Sequence, residues 1–248
     1  MRRTVLLMVA ALLVAAPASA QYPPVRDPYL TVTYGSASRS QDAHQQGRFS
    51  LYREDVAFDV LHSLDRAGFI DIGGGARVWR GLFVGLAYTV RLQETVEGAI
   101  DAFVPHPVSY DTFRRVEGPV PGLEHREQAV HIQAMWRFAP TPAFQIGVFG
   151  GPTIFNVSHD LVEQVSVAEV GDPFTQVNLG EATLRRETEN GFGAHAGIDA
   201  MYRIVRHVGV GGMVRYSRAT TGLAVPGYPE LELTVGGLDA GLRLRIGF

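Results

Sequence analysis

The last eleven residues of the chain constrain its fold more than any other segment. From Leu238 to Phe248, an apolar side chain at every even position alternates with Asp, Gly or Arg at every odd position. A two-residue period places these two sets on opposite faces of an extended strand. The segment therefore predicts a β-strand with one apolar face and one charged or open face.

Seven further segments show the same alternation, each over roughly ten residues. They lie at about 29–36, 70–78, 82–93, 130–138, 144–149, 192–204 and 208–217. No stretch after residue 20 contains the roughly eighteen consecutive apolar residues of a membrane-spanning helix. The pattern indicates an all-β chain of eight strands. A soluble barrel would turn the apolar face inward, whereas a membrane barrel turns it toward lipid.

The lengths of the connections distinguish these two kinds of barrel. Three are short (80–81, 139–142 and 206–207), and four are long (about 37–67, 94–124, 157–189 and 220–231), in strict alternation. Outer-membrane barrels have short periplasmic turns, longer extracellular loops and periplasmic termini. We therefore predict a closed antiparallel transmembrane β-barrel of eight strands, integral to the cell outer membrane, with both termini periplasmic.

Two parts of the long connections have strand-like patterns of their own. Residues 53–66 suit either a short helix or an extension of the second strand above the membrane. Residues 161–189 are expected to form a hairpin that prolongs the fifth and sixth strands. If such segments entered the wall instead, the barrel would have ten strands.

The N-terminus has the pattern of an export signal. Arg2 and Arg3 precede an apolar run from Val5 to Ala16, and Ala18-Ser19-Ala20 forms an A-x-A cleavage site. A run of this length is too short for a spanning helix of about twenty residues, which is the alternative. We predict a cleaved signal peptide at 1–20 and a barrel domain at 21–248. The chain has no cysteine, and its positive charges do not cluster as a nucleic-acid footprint would.

Aromatic residues near the ends of the predicted strands indicate two membrane interfaces. Those near the short turns are Trp79, Trp136, Phe138, Phe144, Tyr202 and Phe248. Those toward the long loops are Tyr34, Tyr88, Phe155, Phe192 and Tyr216. Within the first group, Trp79 falls on the lumen side of the alternation.

The run from Leu242 to Phe248 resembles the terminal strand of outer-membrane barrels, which typically ends in Phe after alternating apolar residues. In that family the terminal strand is read by the barrel assembly machinery, which implies an assembly role for Phe248. The whole mature chain resembles the small barrels that include the OmpA transmembrane domain, OmpX and OmpW. This resemblance implies a fold, a location and contact with outer-membrane lipid, and it rests on no motif for an activity.

The inward-facing set carries the candidate site. At about mid-height of the predicted lumen lie Asp71, Arg91, Asp199, Arg215, Asp239 and Arg243. An eight-stranded barrel is just wide enough for side chains to fill, and buried charges must be paired. We predict a lumenal ionic network that plugs the barrel, and the alternative is a charged constriction of a narrow pore. Arg77, Arg137, Arg203 and Arg245 are expected nearer the periplasmic rim, within reach of water.

Two other groups contain residue types that could carry chemistry. Neighbours on a strand face opposite ways, so Ser158, His159 and Asp160 are not expected to converge on one substrate. His131 and His195 face inward on separate strands, without a carboxylate or Cys at ligand spacing. The other histidines considered, His44, His62, His125 and His207, fall in predicted loops or turns.

We therefore expect no enzymatic activity, no cofactor and no metal. The predicted role is structural or one of surface interaction through the long extracellular loops, whose partner the sequence does not identify. A narrow porin-like channel for small hydrophobic or ionic solutes is the alternative, and a lipid-modifying barrel enzyme is a weaker one.

Overall fold

The computed structural model describes residues 26–38, 41–64, 67–92, 94–223 and 231–248. The predicted signal peptide lies outside these described residues. The strands are β1 (Arg26–Ser38), β2 (Gln41–Leu51), β3 (Glu54–Leu64), β4 (Ala67–Trp79), β5 (Leu82–Arg91), β6 (Glu94–Pro105), β7 (Phe113–Phe138), β8 (Phe144–Val170), β9 (Gln176–Val205), β10 (Val208–Leu223) and β11 (Leu231–Gly247). Within the described ranges, no helix is long and apolar enough to cross a membrane.

Eight of these strands close into a ring. Each pairs antiparallel with its neighbours in the order β1, β4, β5, β7, β8, β9, β10 and β11. Pairing between β11 and β1, from Tyr29–Gly247 to Ser38–Leu238, completes the circle. The predicted closed antiparallel barrel of eight strands is confirmed, and the ten-stranded alternative is wrong because the additional strands do not enter the ring.

The ring turns its apolar residues outward. Large exposed apolar side chains form a band around the wall: Leu30, Val32, Ile70, Ile72, Val84, Leu86, Ile132, Val148, Ile198 and Leu242. Polar and charged residues of the same strands are buried inside. This inversion is typical of a barrel surrounded by lipid.

The two ends of the barrel differ. At one, called the turn end, the three short turns and Phe248 line a common cavity. At the other, called the loop end, β2, β3 and β6 form a sheet with the upper half of β7. Residues 53–66 therefore contain a strand, and the helix alternative is wrong. The hairpin expected at 161–189 is present, because β8 and β9 remain paired up to Val170 and Gln176.

The loop end has an apolar interior, here called the upper core. Its buried members are Val56, Phe58, Val60, Val96, Ile100, Ala102, Val104, Val116, Val120, Leu123, Ala129, Phe155, Val157, Leu161, Val162, Val165, Ala219, Leu233 and Val235. A bulge in β7 keeps the apolar side chains of its upper half, the part toward the loop end, pointing into this core. Leu123 faces Val96 and Val120 faces Gly98, so β7 has one extra residue there, next to Gly122 at φ 81°. Glycine tolerates such a positive φ without strain.

The structure corrects two of the predicted aromatic positions. Trp79 is 58% exposed and contacts Trp136 edge-on, with ring centroids 6.5 Å apart. Its predicted lumen side is wrong because the pairing of β4 with β5 shifts by one residue between Arg77 and Trp79. Phe155 is fully buried in the upper core, so its expected place in an outer aromatic girdle is also wrong.

Candidate functional site

The six residues predicted for the lumenal network are brought together in the barrel. Each is at most 5% exposed, and they extend from five strands of the ring. Their ion pairs form one chain: Arg91–Asp239 (2.9 Å), Asp239–Arg215 (2.8 Å), Arg215–Asp71 (2.8 Å), Asp71–Arg243 (3.2 Å) and Arg243–Asp199 (3.1 Å). The carboxylates and guanidiniums thus alternate across the lumen.

Two further residues extend this chain at its ends. Glu127 forms an ion pair with Arg91 at 3.3 Å, and Asp199 Oδ2 accepts a hydrogen bond from Arg245 Nη2. The expectation that Arg245 reaches water at the rim is wrong, since its side chain turns up toward Asp199 and the residue is 6% exposed. The extended network contains four guanidiniums and four carboxylates, so its charges balance.

Threonines supply part of the hydrogen bonding of the buried charges. Thr89 Oγ1 donates to Asp71 at 2.8 Å and accepts from Arg215 Nη2 at 2.9 Å. Arg243 Nε donates to Thr33 Oγ1 at 2.8 Å. Burying an ion costs several kcal/mol unless its pairing and remaining hydrogen bonds are satisfied, so these hydroxyls help to make the network tolerable. The gap beside Arg215 is too small for a water molecule.

His131 and His195 lie beside this network and share a threonine. Thr153 Oγ1 is 2.9 Å from the Nδ1 atom of each ring, and His131 Nε2 is 3.1 Å from Thr89 Oγ1. Both ring nitrogens of His131 are therefore used in hydrogen bonds. Among the described residues, no group of three or more His, Cys, Asp or Glu side chains is arranged to hold a metal ion.

A second group of histidines was missed by the sequence analysis. His62, His125 and His159, here called the histidine triad, are all buried, so placing the first two in loops was wrong. His159 contacts His125 through Nδ1 at 3.2 Å and His62 through Nε2 at 3.3 Å. The three come from β3, β7 and β8, which meet only in the closed fold. The sequence did contain a signal for His62: it lies two residues after Val60, so in a strand the two side chains share the inward face.

Gln45 joins the triad to the backbone of β8. His62 Nε2 is 3.1 Å from Gln45 Oε1, which also accepts a hydrogen bond from the Val162 amide at 3.0 Å. The Gln45 side-chain amide donates to the Val162 carbonyl at 2.6 Å. This two-way bond attaches β2 across the interior of the loop end, at the boundary between the polar lumen and the upper core.

Ser158, His159 and Asp160 do not form a catalytic arrangement with one another. Ser158 Oγ bonds to the hydroxyl of Thr188 at 2.8 Å, on the opposite side of β8 from the triad. Asp160 pairs with Arg186 at 2.7 Å. A nucleophile, a base and an orienting group must lie within hydrogen-bond reach of each other, and these three side chains have separate partners.

Comparisons with known proteins concern the fold only. No family model and no curated protein matches the chain. Among solved structures, it is similar to the outer membrane protease OmpT from Escherichia coli at 9% identity, covering 93% of this chain and 100% of that one, with a TM-score of 0.49. It is also similar to Neisserial surface protein A at 11% identity, covering 90% of this chain and 97% of that one, with a TM-score of 0.45. For OprG from Pseudomonas aeruginosa the identity is 11%, the coverage 93% of this chain and 99% of that one, and the TM-score 0.46. Such low identities transfer no activity.

A single arginine, Arg114, holds together the top of the loop end. Arg114 Nη2 donates to Glu169 Oε1 at 2.8 Å and to the Pro105 carbonyl at 2.7 Å, and Nη1 donates to the Phe174 carbonyl at 2.7 Å. These bonds connect the ends of β6, β7 and β8 with the tip of the β8–β9 hairpin. The hydrogen bonds from Arg114 lower the pKa of the Glu169 carboxyl.

The histidine triad predicts a loss of stability in mild acid. Burial, followed by the positive fields of His125 and His44, lowers the pKa of His62 from 6.5 to about 4. The unfolded chain therefore takes up this proton first, so stability is complete above pH 6.5 and falls as the pH drops toward 4. We expect a loss on the order of 3 kcal/mol over that interval from this group.

Urea unfolding of the refolded protein at several pH values measures this effect. The slope between pH 6.5 and 4 should flatten in His62→Gln and persist in His207→Gln, whose ring is exposed at the turn end. An equal slope in His62→Gln and the unmodified protein would assign the acid sensitivity to other groups.

Proposed function

We propose that this chain is an integral outer-membrane protein whose barrel is plugged and which acts through its loop end. The outward apolar band supports the membrane location, since charged and polar side chains are turned inside. In this proposal the loop end is extracellular and the turn end, with both termini, is periplasmic. The role is structural or one of surface interaction, with a loop-end partner of unknown identity.

The extended ionic network is the observation that carries the proposal. Four guanidiniums and four carboxylates bind each other across a lumen that eight strands leave narrow. The upper core lies above them as a second, apolar barrier. A hydrated ion would have to break several buried ion pairs and then cross a dry interior, so both layers oppose conduction.

The proposal predicts no steady current from the refolded mature protein in a planar bilayer. Asp199→Asn should weaken the pairing of Arg243 and Arg245 and so lower the free energy of unfolding, while conductance stays near zero. A steady open current, altered in selectivity by Asp199→Asn without loss of stability, would favour a narrow channel for small ionic or hydrophobic solutes. The network would then be a selectivity filter.

We also propose that the chain is not an enzyme. The divergent partners of Ser158, His159 and Asp160 support this, and so does the engagement of His131 and His195 with one hydroxyl.

The C-terminal strand supports a further part of the proposal, recognition by the barrel assembly machinery. Phe248 is exposed at the turn end, and its amide donates to the Pro28 carbonyl at 2.9 Å. The aromatic ring is therefore accessible while its backbone is anchored to β1. This arrangement suits an aromatic signal at the end of a closing strand.

A further inference from the structure

The turn end contains a cavity of about 530 Å³ whose lining is strongly basic. Six arginines contribute to it: Arg77, Arg80, Arg137, Arg203, Arg206 and Arg245. The acidic side chain among the lining residues is Asp27, which pairs with Arg77 at 2.7 Å. Positive charge therefore dominates the cavity.

Most of this charge is not neutralised by the protein. Among the described residues, no carboxylate side chain forms an ion pair with Arg137, Arg203 or Arg206. The extended ionic network above the cavity has equal numbers of guanidiniums and carboxylates, so its net charge does not offset the arginines of the cavity. Arg137 is thus an excess positive charge at the inner end of the cavity.

The inner end is built from two guanidiniums around one tyrosine ring. The guanidinium carbon of Arg137 lies 4.5 Å from the ring centroid of Tyr29 and 3.8 Å from that of Phe83. The guanidinium carbon of Arg245 lies 5.2 Å from the Tyr29 centroid. Stacking on the aromatic rings orients both guanidiniums, and each uses its Nη2 atom in one further contact, Arg245 with Asp199 and Arg137 with Met135 Sδ.

Several of these donors are buried without an acceptor. They are Nε and Nη1 of Arg245, Nε of Arg137 and the hydroxyl of Tyr29. The side chain of Arg245 is 7% exposed, and Asp199 engages only its Nη2 atom. Buried charged donors are costly when they lack an acceptor, so this set of groups is complementary to an anion rather than to a neutral solute.

We propose that the cavity is a binding site for a phosphate group. A tetrahedral phosphate has enough oxygens to accept from Arg137, Arg245 and Tyr29 at once, and guanidinium forks match its geometry. Arg203 and Arg206 at the mouth attract the anion. Because the cavity is much larger than a phosphate ion, and Phe83 and Met201 add apolar wall, a phosphate carried on a larger molecule fits it.

Such a phosphate has two sources, a soluble phosphate or the headgroup of an anionic phospholipid. The site lies below the network and does not depend on whether the lumen conducts, so it goes beyond the proposed function. Calorimetric titration of the refolded mature protein in a phosphate-free maltoside detergent tests it. The probes are inorganic phosphate and monomeric dihexanoyl phosphatidylglycerol.

We expect saturable binding of one phosphate group per protein, weakened by added salt. Arg137→Gln should weaken it at least tenfold, and Arg203→Gln provides an accessible second variant if Arg137→Gln does not refold. Arg115→Gln, which removes an exposed arginine at the loop end, should bind as the unmodified protein does. Tighter binding of the lipid than of inorganic phosphate assigns the site to the membrane leaflet, and the reverse assigns it to a soluble phosphate.

Absence of saturable binding for both probes would overturn the proposal. So would affinities that are unchanged in both Arg137→Gln and Arg203→Gln, because binding would then lie elsewhere on the protein.

Discussion

Replacing Arg215 by methionine is expected to lower the free energy of unfolding by about 3–5 kcal/mol. Arg215 donates to Asp71 and to Asp239 at 2.8 Å each, and to Thr89 at 2.9 Å. Methionine has a side chain of similar length, but it leaves two buried carboxylates short of their shared cation. The penalty arises from these uncompensated charges rather than from lost volume.

Arg115→Met is the matched control, since Arg115 also pairs with an aspartate, Asp101, at 2.8 Å. That pair is at the surface, with the arginine side chain 58% exposed, so its loss should cost less than about 1 kcal/mol. Urea unfolding in lipid vesicles, followed by tryptophan fluorescence, compares the two. Equal costs would mean that water solvates the lumenal charges and that the network does not fill the barrel.

Phe155→Ala should cost about as much as the loss of Arg215, roughly 3–5 kcal/mol, for a different reason. Phe155 is fully buried where the upper core meets His131, with ring centroids 6.3 Å apart. Truncation removes apolar contacts and leaves a cavity between the polar and apolar layers. The same unfolding measurement applies.

The control for this substitution is Phe103→Ala. Phe103 lies on β6 at the loop end, but its ring points away from the upper core and is 52% exposed. We expect a cost below about 1 kcal/mol, because little of its surface is removed from water. A small cost for Phe155→Ala would indicate that the loop end collapses around the gap or is not packed as a core.

The barrel was predictable because its signal is local. Each wall strand alternates apolar and polar residues over its own length, and the turn lengths report which strands are neighbours. The same reading gave the inward face for Asp71, Asp199 and Asp239. The prediction from alternation failed at Trp79, because one inserted residue in β4 reverses the face of the side chains after it. Nothing in the residue types there indicates the insertion.

The loop end was not predictable in the same way, because its contacts join distant segments. His62, His125 and His159 meet only after β3, β7 and β8 are placed side by side. The depth of Arg245 was misjudged for a related reason. A long side chain near a strand end can extend toward either the rim or the lumen, and the position of Asp199 on another strand decides between them.

The bulge at Gly122 determines how the length of β7 can change at the loop end. Below it, inward positions of β7 such as Leu123 and His125 are odd-numbered, and above it Val116 and Val120 are even-numbered. Deleting Gly122 would remove the extra residue and leave one outward position between Leu123 and Val120, so the strand would keep a single alternation with the upper valines still inward. Insertions above the bulge preserve the interior when they come in pairs, and a single inserted residue needs a second bulge. Outside the bulge, this strand can therefore change length only in steps of two residues if its inward and outward faces are to be kept.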